Sequence, residues 1–427
     1  MWLGNGSRVA VLGGGPAGSF FTLYFLRYAA AKRIDLQVDI YEWRSFSDRG
    51  PRGCNRCAGI LSGSLLRNLR ELDITIPEDV IRSRIKSYYL HSPFGVINIP
   101  NPAPEHDILS VFRGGGPLEH QPAALPSFDG FLLDHAVKRG ARLVQRRVLR
   151  ADLSPRPSLA LEDGAKEYDL IVLANGLNSG SVQVTGVPYR QPAVLAMSQD
   201  ELFCRKEDVD EYFGNSVRAF LIPHSNLIFA SVVPKGNYLN VSLLGKGGPP
   251  DLDGFLDHEL VKKAIPFPYK RSCGCRPRIS VGQASGYYAD GFVAIGDAAV
   301  SRLYKDGIGS ALLSARQAAL TAVFHGASRY DFQTHYAPFC RALHKDNRIG
   351  RFIFKVHENT KNSGRFFRAQ ARLINTGGSI PYAGKVFSKV LWGIFTGSYT
   401  YREIFDFASN PRAAVAVARE FLRGGPV

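Results

Sequence analysis

The 427-residue chain is short of several things, and each shortage narrows what it is. Six cysteines, two of them in the run Cys54-Asn-Arg-Cys57, do not make the disulfide framework of a secreted scaffold. No window of about 18 consecutive apolar residues exists, so no membrane-spanning helix is expected. Met1 to Gly18 lack the basic leader of a signal peptide, and their apolar run ends in a glycine cluster. A cytoplasmic protein is the expectation. Low-complexity tracts are missing too; with 45% hydrophobic residues the chain can fill two or three domain-sized cores. Acidic residues are scarce relative to basic ones, 37 against 53, a formal charge of +16. Such an excess governs association, not fold. It suits phospholipid headgroups, nucleic acid or an acidic protein, or is a generally basic surface.

What is present begins at once. Arg8 to Leu12 is an apolar strand; Gly13, Gly15 and Gly18 form G-x-G-x-x-G; from Ser19 apolar residues continue at helical density. Gly13 permits the tight turn. Gly15 lets a pyrophosphate approach the backbone, and Gly18 lets helix and strand pack closely. With Pro16 and Ala17 this turn is assigned to a dinucleotide, whose phosphates meet free N–H groups and the positive end of the helix. The second strand, Leu36 to Arg44, carries Glu42 near its tip, placed for the ribose hydroxyls of an adenosine, with Trp43 and Arg44 beside it.

A second glycine motif follows a strand near the other end: Gly291 to Ile295, then Gly296-Asp297, then a helix from about Gly307 through Ala319. Strand, G-D-A-A, loop, G-I and small-residue helix together resemble the second FAD fingerprint of glutathione-reductase-type flavoproteins. The subgroup holds aromatic hydroxylases, flavin halogenases and geranylgeranyl reductases. The resemblance implies that Asp297 meets the ribityl or pyrophosphate part of FAD. It also implies that the helix start, Gly307, Ile308 and Gly309, faces the flavin, where a positive helix end favours the anionic reduced ring. The same family has an Arg ahead of an F-D-x-x-L helix and then a D-L-V-V-x-A-D-G strand. Arg113, Phe128 to Ala136 and Asp169 to Gly176 stand in those places. An insertion separates Arg113 from Phe128, and the usual Asp-Gly is Asn175-Gly176. Arg113 to Pro117 has glycines but no following helix, so a separate NAD(P)H domain is not expected; electrons would come from transiently docking NAD(P)H or a reduced protein carrier.

Geranylgeranyl reductases carry a K-P-C-G-G-like segment close to the flavin, and Cys57-Ala58-Gly59 resembles it. Three readings of the cysteines stay open: plain residues of a cofactor-lining loop, a redox-active Cys54–Cys57 pair, or a metal site completed by Cys273 and Cys275. The run from Leu227 to Gly245 resembles that family's substrate segment at Pro234, Lys235, Gly236, Asn240 and Val241. Ser231 falls where a tryptophan would stand, and Val233 where a phenylalanine would. After the G-D motif the family's P-x-T-G-x-G-I is replaced by Arg302 to Gly309. Tyr304, Lys305 and Asp306 fall where flavin should meet substrate, a set able to move protons, or else a Lys–Asp pair that caps the helix.

These motifs predict an α/β protein: a three-layer FAD-binding fold interleaved with an antiparallel substrate sheet and followed by a helical C-terminal part. The expected segments are 1–87, 113–185 and 279–330 for the FAD domain, 88–112 and 186–278 for the substrate sheet, and 331–427 for the helical part. The resemblance implies hydride transfer from reduced FAD to a carbon–carbon double bond of an isoprenoid or lipid-like substrate, with Cys57, Tyr304, Lys305 and Asp306 as the catalytic candidates. A flavin monooxygenase or halogenase, or an electron-transfer subunit, are the alternatives. Basic and aromatic residues alternate from Asp346 to Arg372, a pattern that suits an anionic membrane surface. No nucleic-acid motif is present.

Overall fold

The computed structural model describes residues 2–56, 58–103, 108–118, 124–162, 164–178, 180, 182–375 and 381–423. Arg8–Leu12, whose five residues include two valines, an alanine and a leucine, is the buried centre of a six-stranded sheet. Leu170–Leu173 and Gln37–Tyr41 flank it in parallel, and Phe292–Ala294 and Arg142–Val144 extend the parallel set outward. Tyr288–Ala289 closes one edge antiparallel. Parallel strands need crossovers, and here the crossovers carry the rest of the protein. The helix Pro16–Ala31, started by a proline whose missing N–H costs nothing at that position, packs against Gly307–Phe324. Alanines 311, 315, 318, 319 and 322 of the second helix are buried and keep the two backbones close. Both FAD motifs thus belong to one core.

A small four-stranded sheet, Arg150–Asp152, Ser158–Leu161, Gly164–Glu167 and Gln183–Thr185, adds Ala151 and Leu159 to that core. The substrate sheet runs in the order Lys270–Arg271, Val194–Phe203, Tyr238–Gly245, Leu227–Pro234, Ser216–Phe220, Ser87–Ser92, Gly95–Pro100, with Arg278–Ser280 paired to Val194–Phe203. It is antiparallel as expected except at one seam. Ser216–Phe220 lies parallel to Ser87–Ser92, because the chain leaves the sheet after the first hairpin and returns only after building most of the nucleotide fold.

The C-terminal part is helical: Ala337–Thr360, Gly364–Asn375, Pro381–Thr396, Tyr401–Ala408 and Pro411–Arg423. Phe367, Leu391 and Trp392 from these helices are buried against Tyr88, Leu90 and Val233 of the substrate sheet. Among the described residues no helix is long and apolar enough to cross a membrane.

Candidate active site

One cavity of about 280 Å³ runs between the nucleotide fold and the substrate sheet. At one end Gly13, Gly15, Pro16 and Ala17 line it together with Glu42, Trp43 and Arg44. The glycines are there for steric reasons. A Cβ on Gly13, whose φ is +114°, would lie 2.7 Å from the carbonyl oxygen of Ala174. One on Gly18 would lie 1.9 Å from the carbonyl oxygen of Gly13. Gly18 therefore sits behind the cavity wall and sets the helix–strand distance, as its place in the motif implied.

Glu42 is 3% exposed and already accepts four hydrogen bonds. The backbone N–H groups of Gly14 and Arg44 each donate at 3.1 Å, and the Arg44 guanidinium donates through Nε at 3.0 Å and Nη2 at 3.1 Å. A ribose would have to share this carboxylate with Arg44. The chain of contacts continues: Arg44 donates to Asn55 Oδ1 at 2.7 Å, Asn55 donates to Asp129, and Asp129 is bound in fork geometry by Arg113, with one contact of 2.9 Å. Asn55 and Asp129 were not legible as site residues. Asn55 is the middle of the Cys54-x-x-Cys57 loop, and its partner is 74 positions away.

Arg113 and Asp129 are 7% and 0% exposed, a buried ion pair in which each charge depends on the other. Arg113→Met is expected to lower unfolding free energy by about 3–5 kcal/mol, since Asp129 would be left buried and uncompensated. Urea denaturation checks this; an unchanged midpoint would show that water already reaches Asp129.

Further along, Ala174, Asn175 and Gly176 line the floor, as does Asp297. Oδ1 of Asn175 is buried with no hydrogen-bond partner. Burial pushes the Asp297 carboxyl above the usual carboxylate range, with Ser301 and Arg113 pulling the other way. Gly296, at φ +58°, stands behind the floor, where a Cβ would meet Ala17 at 2.9 Å. A glycine cradle and an orphaned amide oxygen in the floor would suit a bound FAD, while the acid at the ribose end is already saturated by Arg44 and backbone N–H groups.

Tyr304, Lys305 and Asp306 come together at the far end of the cavity, where Gly307 and Ile308 begin the helix Gly307–Phe324. Asp306 caps this helix: its Oδ1 accepts from the backbone N–H of Gly309 at 3.3 Å. Tyr304 and Asp306 have φ of +64° and +54°. Left-handed backbone at two side-chain-bearing residues is strain that the surroundings must hold in place. Gly397 helps hold it, since a Cβ there would lie 2.5 Å from Cβ of Asp306. Ser62 donates to Asp306 Oδ1 at 3.0 Å. Burial pushes the Asp306 carboxyl up to about 6.

Lys305 does not pair with Asp306. Its ammonium lies 3.7 Å from the centroid of the Phe229 ring and has no ion-pair partner among the described residues. Burial pulls it down to about 8. Phe229 and Ser231, at alternate positions on one strand, share the cavity wall with Met197, Gln199 and Ser242. Val233 is fully buried elsewhere. Phe395 and Thr396 complete the wall from the C-terminal helices, which the sequence reading left out of the site.

The opening loop divides. Ala58 lines the cavity; Gly59, at φ +69°, lies behind it, where a Cβ would come within 2.1 Å of the carbonyl oxygen of Val111. Cys57 lies outside the described residues. Cys54 lies near Cys273 and Cys275. Burial pushes all three thiols up, Cys275 to about 12, with Cys54 adding to the rise at the other two. Among the described residues no group of three or more His, Cys, Asp or Glu side chains is arranged to hold a metal. Lys235 and Asn240, singled out by the substrate segment, both donate to Glu201 Oε1 at 3.0 Å, a buried network under the Cys54 loop.

No family model matches the chain, and no curated protein matches it. Solved structures do. The halogenase PltM superposes with a TM-score of 0.60, covering 97% of this chain and 85% of its own at 13% identity. The p-nitrophenol 4-monooxygenase PnpA from Pseudomonas putida DLL-E4 does so at 0.55, covering 99% and 100% at 12% identity. A tryptophan 6-halogenase, SttH, from Streptomyces toxytricini gives 0.54, with 98% and 95% covered at 14% identity. The fold is that of the flavoprotein hydroxylases and halogenases: a Rossmann-type FAD-binding fold, a substrate sheet and a helical C-terminal part.

Proposed function

We propose that the chain is an FAD-dependent oxidoreductase acting on an apolar, lipid-like substrate. The observation that carries this is one cavity lined both by a dinucleotide cradle at Gly13 and Glu42 and by Phe229, Phe395 and Met197, which stand among Gln199, Ser231 and Ser242, with Lys305 against Phe229. Bound FAD would supply redox chemistry in that cavity, taking electrons from NAD(P)H or from a reduced protein carrier. Gly13, Gly15 and Glu42 would hold its adenosine and pyrophosphate end, and Asp297 and the start of the helix at Gly307 its flavin end. Lys305, with a proton that leaves near pH 8, would pass it to the reacting carbon or oxygen. Tyr304 would border the substrate, and Asp306 would hold the loop. Cys57 remains a candidate on the resemblance alone.

Two chemistries fit this arrangement. The structural neighbours, which include a monooxygenase and halogenases, favour oxygen-dependent substrate oxidation. Reduction of a carbon–carbon double bond is the second reading, supported by the resemblance of Lys235 to Val241 to reductases and by the acid at Lys305. One experiment separates them. The FAD-loaded protein is reduced anaerobically, freed of reductant and mixed with polyprenyl lipids and quinones. A flavin that stays reduced until air enters, followed by an oxygenated product, supports the first. Anaerobic reoxidation with a saturated product supports the second and removes the first.

A further inference from the structure

The helix Ala337–Thr360 has two unlike faces. At about 100° per residue, Asn347, Gly350 and Phe354 fall on one side, and all three are buried. This side holds the loop at the end of the cavity. Asn347 donates to the carbonyl oxygen of Ser301 at 2.8 Å and accepts from the N–H of Leu303 at 2.9 Å. The Phe354 ring meets Tyr304 edge-on at 4.9 Å.

The opposite side carries Arg341, Lys345, Arg348, Phe352, Lys355 and Val356, all exposed. Spacings of 3, 4 and 7 put them on one stripe about 20 Å long. Arg341, Lys345, Arg348 and Lys355 have no ion-pair partner among the described residues. The acids of this helix are engaged elsewhere. Asp346 accepts from the backbone N–H groups of Tyr401 and Arg402, and Glu358 pairs with Lys246. Phe352 is 54% exposed, Val356 43%, and Phe405 of the next helix 36%, its ring 6.2 Å from that of Phe352. Beside Phe405, Arg402 and Asp406 pair with each other, and Glu403 caps its own helix through Thr400.

The geometry points to this face as a docking surface for an anionic phospholipid bilayer. Unneutralised cations of one sign flank an exposed aromatic pair. Lys and Arg would meet headgroup phosphates while Phe352 and Phe405 enter the acyl boundary. A nucleic-acid duplex would use the charge but leave Phe352, Phe405 and Val356 without an apolar counterpart; a single strand would stack bases on the two rings, and is therefore an outcome of the test. Docking here would set one side of the helix on the bilayer while its other side holds Tyr304, bringing the membrane next to the catalytic loop. The inference concerns binding and goes beyond the chemistry proposed above.

The test is flotation of the full chain with phosphatidylcholine vesicles, with and without about one-third phosphatidylglycerol. Binding is expected only with the anionic lipid and is expected to fall when salt is raised from about 0.1 to 0.5 M. The combined variant Lys345→Glu, Arg348→Glu, Lys355→Glu is expected to lose at least about tenfold in partitioning. Phe352→Ala with Phe405→Ala should weaken binding while keeping its salt dependence. Thermal melts of both variants verify folding. Equal binding to neutral vesicles, no binding to either, or variants that float like the parent would overturn the proposal. So would a gel shift with single-stranded RNA, lost in the charge variant, in a protein that ignores vesicles.

Discussion

Lys305→Met is expected to lower kcat by about 10²-fold or more, while the protein keeps its FAD and melts higher than the parent at pH 7. The substrate is the one the reoxidation panel identifies. The expected activity loss follows from position: Lys305 lines the cavity and is held by Phe229 and not by an acid. The gain in stability follows from the proton balance. The folded chain releases the Lys305 proton near pH 8, the unfolded chain near 10.5. Between those values the unfolded state binds more protons, so stability rises with pH across that window, and below it the buried ammonium is a standing cost. Methionine fills similar space and carries no charge.

Asp306 behaves as the mirror image. Its folded carboxyl keeps a proton up to about pH 6, the unfolded one only to 3.8. Stability therefore falls as pH rises through that interval, and above it the buried carboxylate is a cost in turn. Near neutrality both groups oppose folding. In the parent, kcat should fall as pH rises through about 8, where Lys305 loses its proton. In the methionine variant that limb of the profile should vanish. A variant that melts lower and loses activity at every pH alike would show Lys305 to be a structural residue.

Gly18→Val is the second large effect: a protein without bound FAD. The added Cβ would lie 1.9 Å from the carbonyl oxygen of Gly13 and 3.0 Å from Cγ1 of Val11. Neither backbone can retreat, because Gly13 is itself pressed against Ala174 and Val11 is in the central strand. The helix must move off the sheet, and its N-terminal N–H groups with it. Flavin per chain should fall by more than about tenfold, a change the loss of one phosphate-directed helix end readily produces. Gly4→Ala, where nothing lies within 4 Å of the added carbon, is the control and should bind like the parent. Retention of FAD by the valine variant would mean that the cradle is not the binding site.

The parts of this site that were legible lie close together in sequence. Gly13 to Gly18 is a local turn whose steric demands select glycine at fixed offsets, so spacing reveals it; Gly296 to Gly309 is legible through its resemblance to the flavoprotein fingerprint. Tyr304 to Asp306 stood out because they replace the residues the family pattern would place there. The fold class followed from strand–turn–helix order at both motifs. What was not legible depends on long-range placement. Asn55 meets Asp129 and Arg44 only after the loop folds across the turn. Cys54 and the pair Cys273 and Cys275 come near one another across about 220 positions of chain, which no local pattern shows. Phe395 and Thr396 reach the cavity because Arg302 donates to the carbonyl oxygen of Gly397 at 2.9 Å and ties the last helices to the Arg302–Asp306 loop. The small sheet at Arg150 to Thr185 escaped notice because strands such as Gly164–Glu167 have no apolar alternation.

If FAD binds between Glu42 and Gly307, the released flavin can be counted. The purified chain is incubated with FAD, freed of excess by gel filtration and denatured, and the released flavin is identified and counted. Close to one FAD per chain is expected. A chain that emerges without flavin would contradict it.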